Sequence, residues 1–159
     1  MNLEDLFSLK GRVALVTGGS RGIGKMIVEG FLAAGIDRVY ISARKINEIE
    51  ETCAELGDRV IGIQGDLSTI DGIEALVEEL SGRESKLDIL VNNAGAAWGV
   101  DYLDFPEAGW DKVMDLNVKT PFFLTQKLHK LLTAGASADK PGKVFNVTSI
   151  DGQRVIPWE

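Results

Sequence analysis

The sequence is poor in the residues that build disulfides and metal centres. It has one cysteine, Cys53, and one histidine, His129, among 159 residues. A single cysteine cannot form an internal disulfide, which is typical of proteins from a reducing compartment such as the cytoplasm. One cysteine and one histidine are too few for a structural zinc site, so we expect no metal. His129 stands alone in a predicted helix, and we interpret it as a surface or hydrogen-bonded histidine rather than a catalytic one.

An excess of basic charge is also missing. The 17 Lys and Arg residues are outnumbered by 24 Asp and Glu residues, which gives a formal net charge of −7. Proteins that bind nucleic acids usually carry a basic face, so we expect no nucleic-acid partner. No apolar run approaches the roughly 20 residues of a membrane helix. The N-terminal segment MNLEDLFSLKG also lacks the pattern of a signal peptide. We therefore predict a cytoplasmic protein without a membrane partner.

Short apolar strands alternate with helical segments along the whole chain. The strands are predicted at residues 12–16, 38–42, 59–64, 87–92 and 142–148. The helices between them are predicted at residues 22–34, 46–56, 69–82 and about 106–132. Such alternation is typical of βαβ units with right-handed crossovers. We predict one α/β domain over residues 1–159, a doubly wound parallel sheet of the Rossmann type with strand order 3-2-1-4-5. Its ligands should lie beyond the carboxyl ends of the strands.

A glycine-rich turn joins the first strand to the first helix. Residues 17–24 read TGGSRGIG, with the spacing G-x-x-x-G-x-G rather than the commoner G-x-G-x-x-G. Glycines at such a turn let the backbone approach a pyrophosphate and pack the helix against the sheet. The N–H groups at the helix start favour an anion. The turn predicts a dinucleotide site.

Residues after the second strand bear on the choice of nucleotide. An acidic residue there would bind the ribose 2′-hydroxyl of NAD, but Ala43 takes that position and Arg44 follows. Arg21 lies in the glycine-rich turn. Two guanidinium groups near the ribose suit a 2′-phosphate, which favours NADP over NAD. Each arginine by itself is equally consistent with a solvated surface position.

Polar residues also follow the third and fourth strands. Asp66 lies two residues after the third strand, Asn92 is the last residue of the fourth strand, and Asn93 follows it. Their side chains can bind a purine edge or hold the adjoining backbone. Two alternatives remain: Asp66 caps the next helix, and 93–95 forms a simple turn.

These motifs together resemble the short-chain dehydrogenase/reductase family. TGGSRGIG, GDL, NNAG, the Asn117 of LNV and the Ser149 of VTSIDG follow the order of that family, and the resemblance covers essentially all 159 residues. Within the family, NNAGAAWG and GASADKPGKV are most similar to the 3-oxoacyl-(acyl-carrier-protein) reductases, in the branch associated with rhamnolipid synthesis.

The resemblance implies a role for each motif residue. The phosphates of the cofactor would be cradled by Gly18, Gly19, Ser20, Arg21, Ile23 and Gly24. Arg21 and Arg44 would reach the 2′-phosphate of NADP. The adenine would lie beside Asp66 and Leu67, and the middle of the cofactor beside Asn93, Ala94 and Gly95. Asn117, in the long helix, could interrupt the regular hydrogen bonding and would hold a water of the proton relay. Ser149 would orient the substrate carbonyl.

The family's catalytic Tyr-x-x-x-Lys has no counterpart in these 159 residues. It would follow Ser149 beyond Glu159, and neither Tyr40 nor Tyr102 is followed four residues later by a lysine. We therefore expect an N-terminal part of a longer domain, incomplete at its C-terminus, truncated before the remaining strands, and inactive by itself.

The resemblance implies an NADPH-dependent reductase of a ketone such as a 3-oxoacyl thioester, whose full-length parent is a homo-oligomer. Two alternatives remain. One is a non-catalytic nucleotide-binding or regulatory module, and the other is an interaction protein that uses the long helix as a dimerisation surface.

Overall fold

A parallel β-sheet forms the centre of the computed structural model, which describes residues 6–153. Its strands in this range are β1 Val13–Thr17, β2 Arg38–Ala43, β3 Val60–Gln64, β4 Ile89–Asn92 and β5 Lys143–Asn146. The spatial order is β3-β2-β1-β4-β5, and each neighbouring pair is parallel. Both the predicted fold class and the predicted strand order are confirmed.

Helices cover both faces of the sheet. They are α1 Gly22–Ala33, α2 Ile46–Leu56, α3 Ile70–Arg83, α4 Glu107–Met114 and α5 Thr120–Ala134. One core lies between the sheet and helices α3 and α5, where Leu15 and Leu90 pack with Leu76 and Leu128. The other lies between the sheet and helices α1 and α2, around Val16, Ile41, Val28 and Ile49. The strand side chains alternate between these two cores because successive residues of a strand point to opposite faces.

The predicted helix 106–132 contains a π-helical turn around Asn117, where the resemblance implied an interruption of regular hydrogen bonding. Helix α4 ends at Met114, the π segment covers Asp115–Lys119, and α5 continues to Ala134. Pro121 provides the physical reason, because proline has no N–H to donate and its ring crowds the carbonyl four residues back, here that of Asn117. The N–H of Thr120 accordingly donates to the carbonyl of Asp115, five residues back.

The fifth strand is shorter than predicted, and its residues are exposed. It covers Lys143–Asn146 instead of 142–148, and Phe145 on it is 49% exposed. Ser149 therefore lies three residues beyond the strand, just before the short 3-10 helix Ile150–Gly152. Across residues 6–153, none of the helices combines the length and hydrophobicity needed to cross a bilayer.

Candidate nucleotide-binding site

A cleft of about 430 Å³ opens at the carboxyl ends of β1, β2, β3 and β4. Its walls are contributed by Gly18, Ser20, Arg21, Gly22, Ile23, Gly24, Ser42, Ala43, Arg44, Lys45, Glu48, Gly65, Asp66, Leu67, Asn93, Ala94, Gly95 and Leu116. Ligands of open α/β sheets bind at the carboxyl ends of the strands, at the point where the strand order reverses. In this sheet that point lies between β1 and β4. Of the twelve residues predicted to contact the cofactor, eleven line the cleft.

The glycine-rich turn packs closely against the start of α1 and against the residues that follow β4. A Cβ atom on Gly24 would lie 2.2 Å from the carbonyl oxygen of Gly18, so no larger residue fits. Gly18 adopts a φ of +66°, which favours glycine. Arg21 is the N-cap of α1, and its side chain makes no capping hydrogen bond. The first N–H groups of α1 therefore face the cleft without a side-chain acceptor from their cap, as an anion site requires.

Gly19 is the predicted cofactor contact that does not line the cleft. A Cβ atom built on it would lie 2.7 Å from Ile41 Cγ2, so Gly19 allows the turn to pack on β2. The turn is also held from α2, where the buried Thr52 hydroxyl donates to the carbonyl oxygen of Ser20 at 2.8 Å. Thr52 thus fixes the residue that precedes the N-cap of α1.

Three cationic side chains line one end of the cleft. Arg21 comes from the turn, while Arg44 and Lys45 come from the segment between β2 and α2. The backbone of this segment is fixed, because Gln64 Nε2 donates to the carbonyl oxygen of Arg44 at 2.9 Å. Glu48 of α2 lies among them, with its carboxylate 2.8 Å from Lys45 Nζ and 3.7 Å from Arg21 Nε.

Asp66 is held by its own loop and does not cap a helix. Its Oδ1 accepts from the hydroxyl of Ser68 at 2.8 Å and from the N–H of Ser68 at 3.1 Å. Burial alone would raise the pKa of Asp66, but these hydrogen bonds and the charge of Arg44 lower it below the usual value. The cap of α3 is Thr69, whose hydroxyl accepts from the N–H of Gly72. The alternative of an Asp66 cap is therefore wrong.

The two asparagines at the end of β4 face different partners. Asn93 donates from Nδ2 to the carbonyl oxygen of Thr17 at 2.9 Å and ties β4 to the glycine-rich turn. The Thr17 hydroxyl accepts from the N–H groups of Asn93 and Ala94, each at 3.0 Å. Asn92 is buried and donates to Asn146 Oδ1 at 2.9 Å, so it joins β4 to β5 and does not line the cleft. The resemblance implied a cofactor contact for Asn93 and none for Asn92, and Asn93 is the one of the two that lines the cleft.

The predicted catalytic residues lie outside the residues that line the cleft. Asn117 sits in the π segment, where its Oδ1 accepts from the N–H of Ala96 and its Nδ2 donates to the carbonyl oxygen of Ala96, both at 2.8 Å. Its neighbour Leu116 lines the cleft. Ser149 is exposed beyond β5, and its carbonyl oxygen accepts from the N–H of Gly152 at 3.1 Å.

The remaining titratable candidates have structural environments. Tyr40 is 1% exposed and donates its hydroxyl proton to Glu84 at 2.8 Å. Burial, followed by the Glu84 contact, raises the pKa of Tyr40. Tyr102 is exposed in the 3-10 helix Tyr102–Asp104, and His129 is exposed on α5. Within residues 6–153, no group of three His, Cys, Asp or Glu side chains is arranged to hold a metal ion.

Seven of the residues that line the cleft, and Thr52 beside it, were not among the predicted contacts. The seven are Gly22, Ser42, Ala43, Lys45, Glu48, Gly65 and Leu116. Lys45 directly follows Arg44, and this adjacency was the signal for a third cation. Glu48 and Thr52 are one helical turn apart, so a wheel of α2 would have placed them on one face. Leu116 had no signal of its own.

The sequence matches the model of the family described as short chain dehydrogenase over residues 12–159. It is 47% identical over 156 residues to the rhamnolipids biosynthesis 3-oxoacyl-[acyl-carrier-protein] reductase of Pseudomonas aeruginosa. That alignment covers 94% of this chain and 59% of the relative. A 2-dehydro-3-deoxy-D-gluconate 5-dehydrogenase of Escherichia coli is 40% identical over 144 residues, which cover 91% of this chain and 56% of that protein.

The fold is similar to that of a Pseudomonas aeruginosa RhlG/NADP active-site complex. The TM-score is 0.90 at 46% identity, and the match covers 96% of this chain and 60% of that one. The chain thus spans about three fifths of the length of these relatives.

Proposed function

The chain belongs to the short chain dehydrogenase family, and we propose that it forms the nucleotide-binding part of an NADPH-dependent reductase of ketones. The observation that carries the proposal is the cluster of Arg21, Arg44 and Lys45 at the end of the cleft beside β2. Ala43 stands there in place of the carboxylate that binds the ribose of NAD. Positive charge and guanidinium donors are the groups that recognise a 2′-phosphate.

Three features of the cleft fit a dinucleotide. The contact of Gly24 with Gly18 leaves the backbone bare where a pyrophosphate would approach. The start of α1 offers N–H groups to its charge. The hydroxyl of Ser42, buried among the cleft-lining residues, has no hydrogen-bond partner in the described range. A buried polar group of this kind commonly bonds to a ligand or water.

We propose a ketone such as a 3-oxoacyl thioester as substrate, because the Pseudomonas aeruginosa relative is named for a 3-oxoacyl substrate. The bound nucleotide would supply the hydride, and the tyrosine of the family's Tyr-x-x-x-Lys would donate the proton that converts the resulting alkoxide into an alcohol. Ser149 would donate a hydrogen bond to the substrate carbonyl and orient it. Asn117 would hold the loop that contains Ala96 at the edge of the cleft, and would also hold a water that relays protons.

An activity assay tests this proposal. The protein, in the form that its gene encodes, should oxidise NADPH in the presence of 3-oxoacyl thioesters and do so much more slowly with NADH. Ser149→Ala should reduce kcat about 100-fold or more, the loss seen when a group that stabilises a developing oxyanion is removed. Ser81→Ala, on the exposed surface of α3, is the matched control and should leave kcat unchanged. Equal rates with the two nucleotides, or full activity of Ser149→Ala, would contradict the proposal.

Several expectations stay predictions. These are the assignment of residues 1–159 to one incomplete domain, the inactivity of residues 1–159 by themselves, the homo-oligomeric parent and the cytoplasmic location. The two alternative functions, a regulatory nucleotide-binding module and an interaction protein, predict no NADPH oxidation in the same assay. Sequencing the gene past codon 159 tests whether a Tyr-x-x-x-Lys follows Ser149.

A further inference from the structure

Glu48 lies beside Arg21 and Lys45, two of the cations of the predicted 2′-phosphate site. It is the acidic side chain that α2 contributes to the cleft, and it is 28% exposed. Its Oε1 accepts from Lys45 Nζ at 2.8 Å, and its Oε2 lies 3.7 Å from Arg21 Nε. One carboxylate therefore contacts two of the three cations that line this end of the cleft.

The charges of this region place Glu48 in competition with a bound phosphate. Arg21, Arg44 and Lys45 bring three positive charges, and Glu48 and Asp66 bring two negative ones. Asp66 is engaged by Ser68 and feels the charge of Arg44. A phosphate monoester carries about 1.5 to 2 negative charges at pH 7. It would have to share Arg21 and Lys45 with Glu48 or displace it.

We propose that Glu48 is a specificity-determining residue, an internal carboxylate that occupies Arg21 and Lys45 and weakens binding of the 2′-phosphate. The inference rests on the proposed NADPH site and concerns the strength of its preference. Because Arg21 is 80% exposed and Lys45 is 70% exposed, both side chains have room to turn from Glu48 to a ligand. Removal of the Glu48 charge should therefore favour 2′-phosphorylated nucleotides and leave unphosphorylated ones almost unaffected.

The test compares Glu48→Gln with the wild-type protein in titrations of NADP+, NAD+ and 2′,5′-ADP. Glutamine keeps the size and polarity of the side chain and removes only its charge. At low salt the affinity for NADP+ and 2′,5′-ADP should rise about fivefold, the effect of one unit charge at a distance of about 4 Å in water. The affinity for NAD+ should change less than about twofold, because its pyrophosphate is farther away and screened. The gain should shrink between about 0.05 and 0.5 M KCl.

Glu50→Gln is the matched control. Glu50 lies on the same helix, is exposed, and is not among the residues that line the cleft. It removes the same charge, so its ratio of NADP+ to NAD+ affinity should equal that of the wild type.

Three results would overturn the inference. One is unchanged or weaker NADP+ binding by Glu48→Gln, which would mean that Glu48 positions Arg21 for the phosphate. Another is an equal gain from Glu50→Gln, which would make the effect one of overall charge. If neither the wild type nor the variant binds NADP+ or 2′,5′-ADP, the proposed function is wrong and the role of Glu48 falls with it.

Discussion

Asp88 is a buried carboxylate that connects β1 to β4 at the amino ends of these two strands. It is 5% exposed and lies next to the first residue of β4. It accepts from the N–H of Val13 at 2.9 Å, contacts Arg12 Nη1 at 2.9 Å and contacts Lys86 Nζ at 3.0 Å. Burial opposes its ionisation, but the bonds from Val13, Lys86 and Arg12 lower the pKa of Asp88 below its usual value.

Asp88→Asn should therefore lower the free energy of unfolding at pH 7 by about 1.5–3 kcal/mol, the range for hydrogen bonds to a charged group. The folded pKa is depressed below the unfolded value of about 3.9, so the contribution is complete above that value. It is lost as the pH falls through the folded pKa. Urea unfolding at pH 7 and near pH 3 measures this difference.

Asp58→Asn is the control for this prediction. Asp58 is exposed and has no ion pair in the described part of the chain. The role assigned to Asp88 is wrong if the two variants unfold alike at pH 7, or if the loss in Asp88→Asn persists undiminished at low pH.

Site residues differ in how far the sequence predicts them. Gly18 and Gly24 are predictable because a strand followed by spaced glycines at a helix start has one common geometry. Arg44 is predictable as a cleft residue because it follows the second strand, whose carboxyl end borders the cleft. Asn92 and Asn93 are adjacent and chemically identical, so residue type alone does not separate them, and the family resemblance assigned the cofactor contact to Asn93. The contacts of Glu48 were not predictable, because they depend on the distance between α2 and the glycine-rich turn. That distance is set by packing between helices.

At the scale of elements, the strands were predicted more accurately than the long helix. The bounds of β2 and β3 differ by one residue from the prediction, because their apolar runs end at glycine or polar residues. The sequence analysis placed an interruption at Asn117 but did not predict its π-helical form, although Pro121 is visible in the sequence. A proline at the second position of a helix usually causes no distortion, because the N–H groups of the first turn have no acceptor within the helix. Here α4 continues through the π segment into α5, so the missing N–H of Pro121 removes a helical hydrogen bond.

Pro121→Ala tests whether that proline sets the position of Asn117. Alanine restores an N–H that can donate to the carbonyl of Asn117, so the π turn should relax towards a regular helix. The two hydrogen bonds between Asn117 and Ala96, one donated by each residue, should then weaken. Amide hydrogen exchange at Ala96 should become about fivefold faster, as expected for the loss of about 1 kcal/mol of protection.

Val118→Ala is the matched control, since Val118 lies in the same π segment and is 54% exposed. It should leave exchange at Ala96 unchanged. Protection of Ala96 that survives Pro121→Ala would show that the π turn is set by tertiary packing and not by the proline.

At the scale of the whole molecule, the cleft reverses the sign of the surrounding charge. The chain carries a formal net charge of −7, yet Arg21, Arg44 and Lys45 converge on one end of the cleft. A molecule with an overall negative charge repels anions at long range, so an anionic ligand must be recognised by close contacts. This arrangement suits a nucleotide held at one site and does not suit binding to a polyanion.

The central claim is that this cleft binds NADPH through its 2′-phosphate, and Arg44→Asp tests it most directly. The substitution keeps the backbone carbonyl that Gln64 binds, and it replaces attraction to the phosphate by repulsion. Fluorescence titration of both nucleotides should show NADPH affinity reduced by about 10- to 100-fold, which corresponds to the roughly 1.5–3 kcal/mol of a charge-assisted contact. NADH affinity should change less than about twofold. Equal losses for NADPH and NADH would contradict the account.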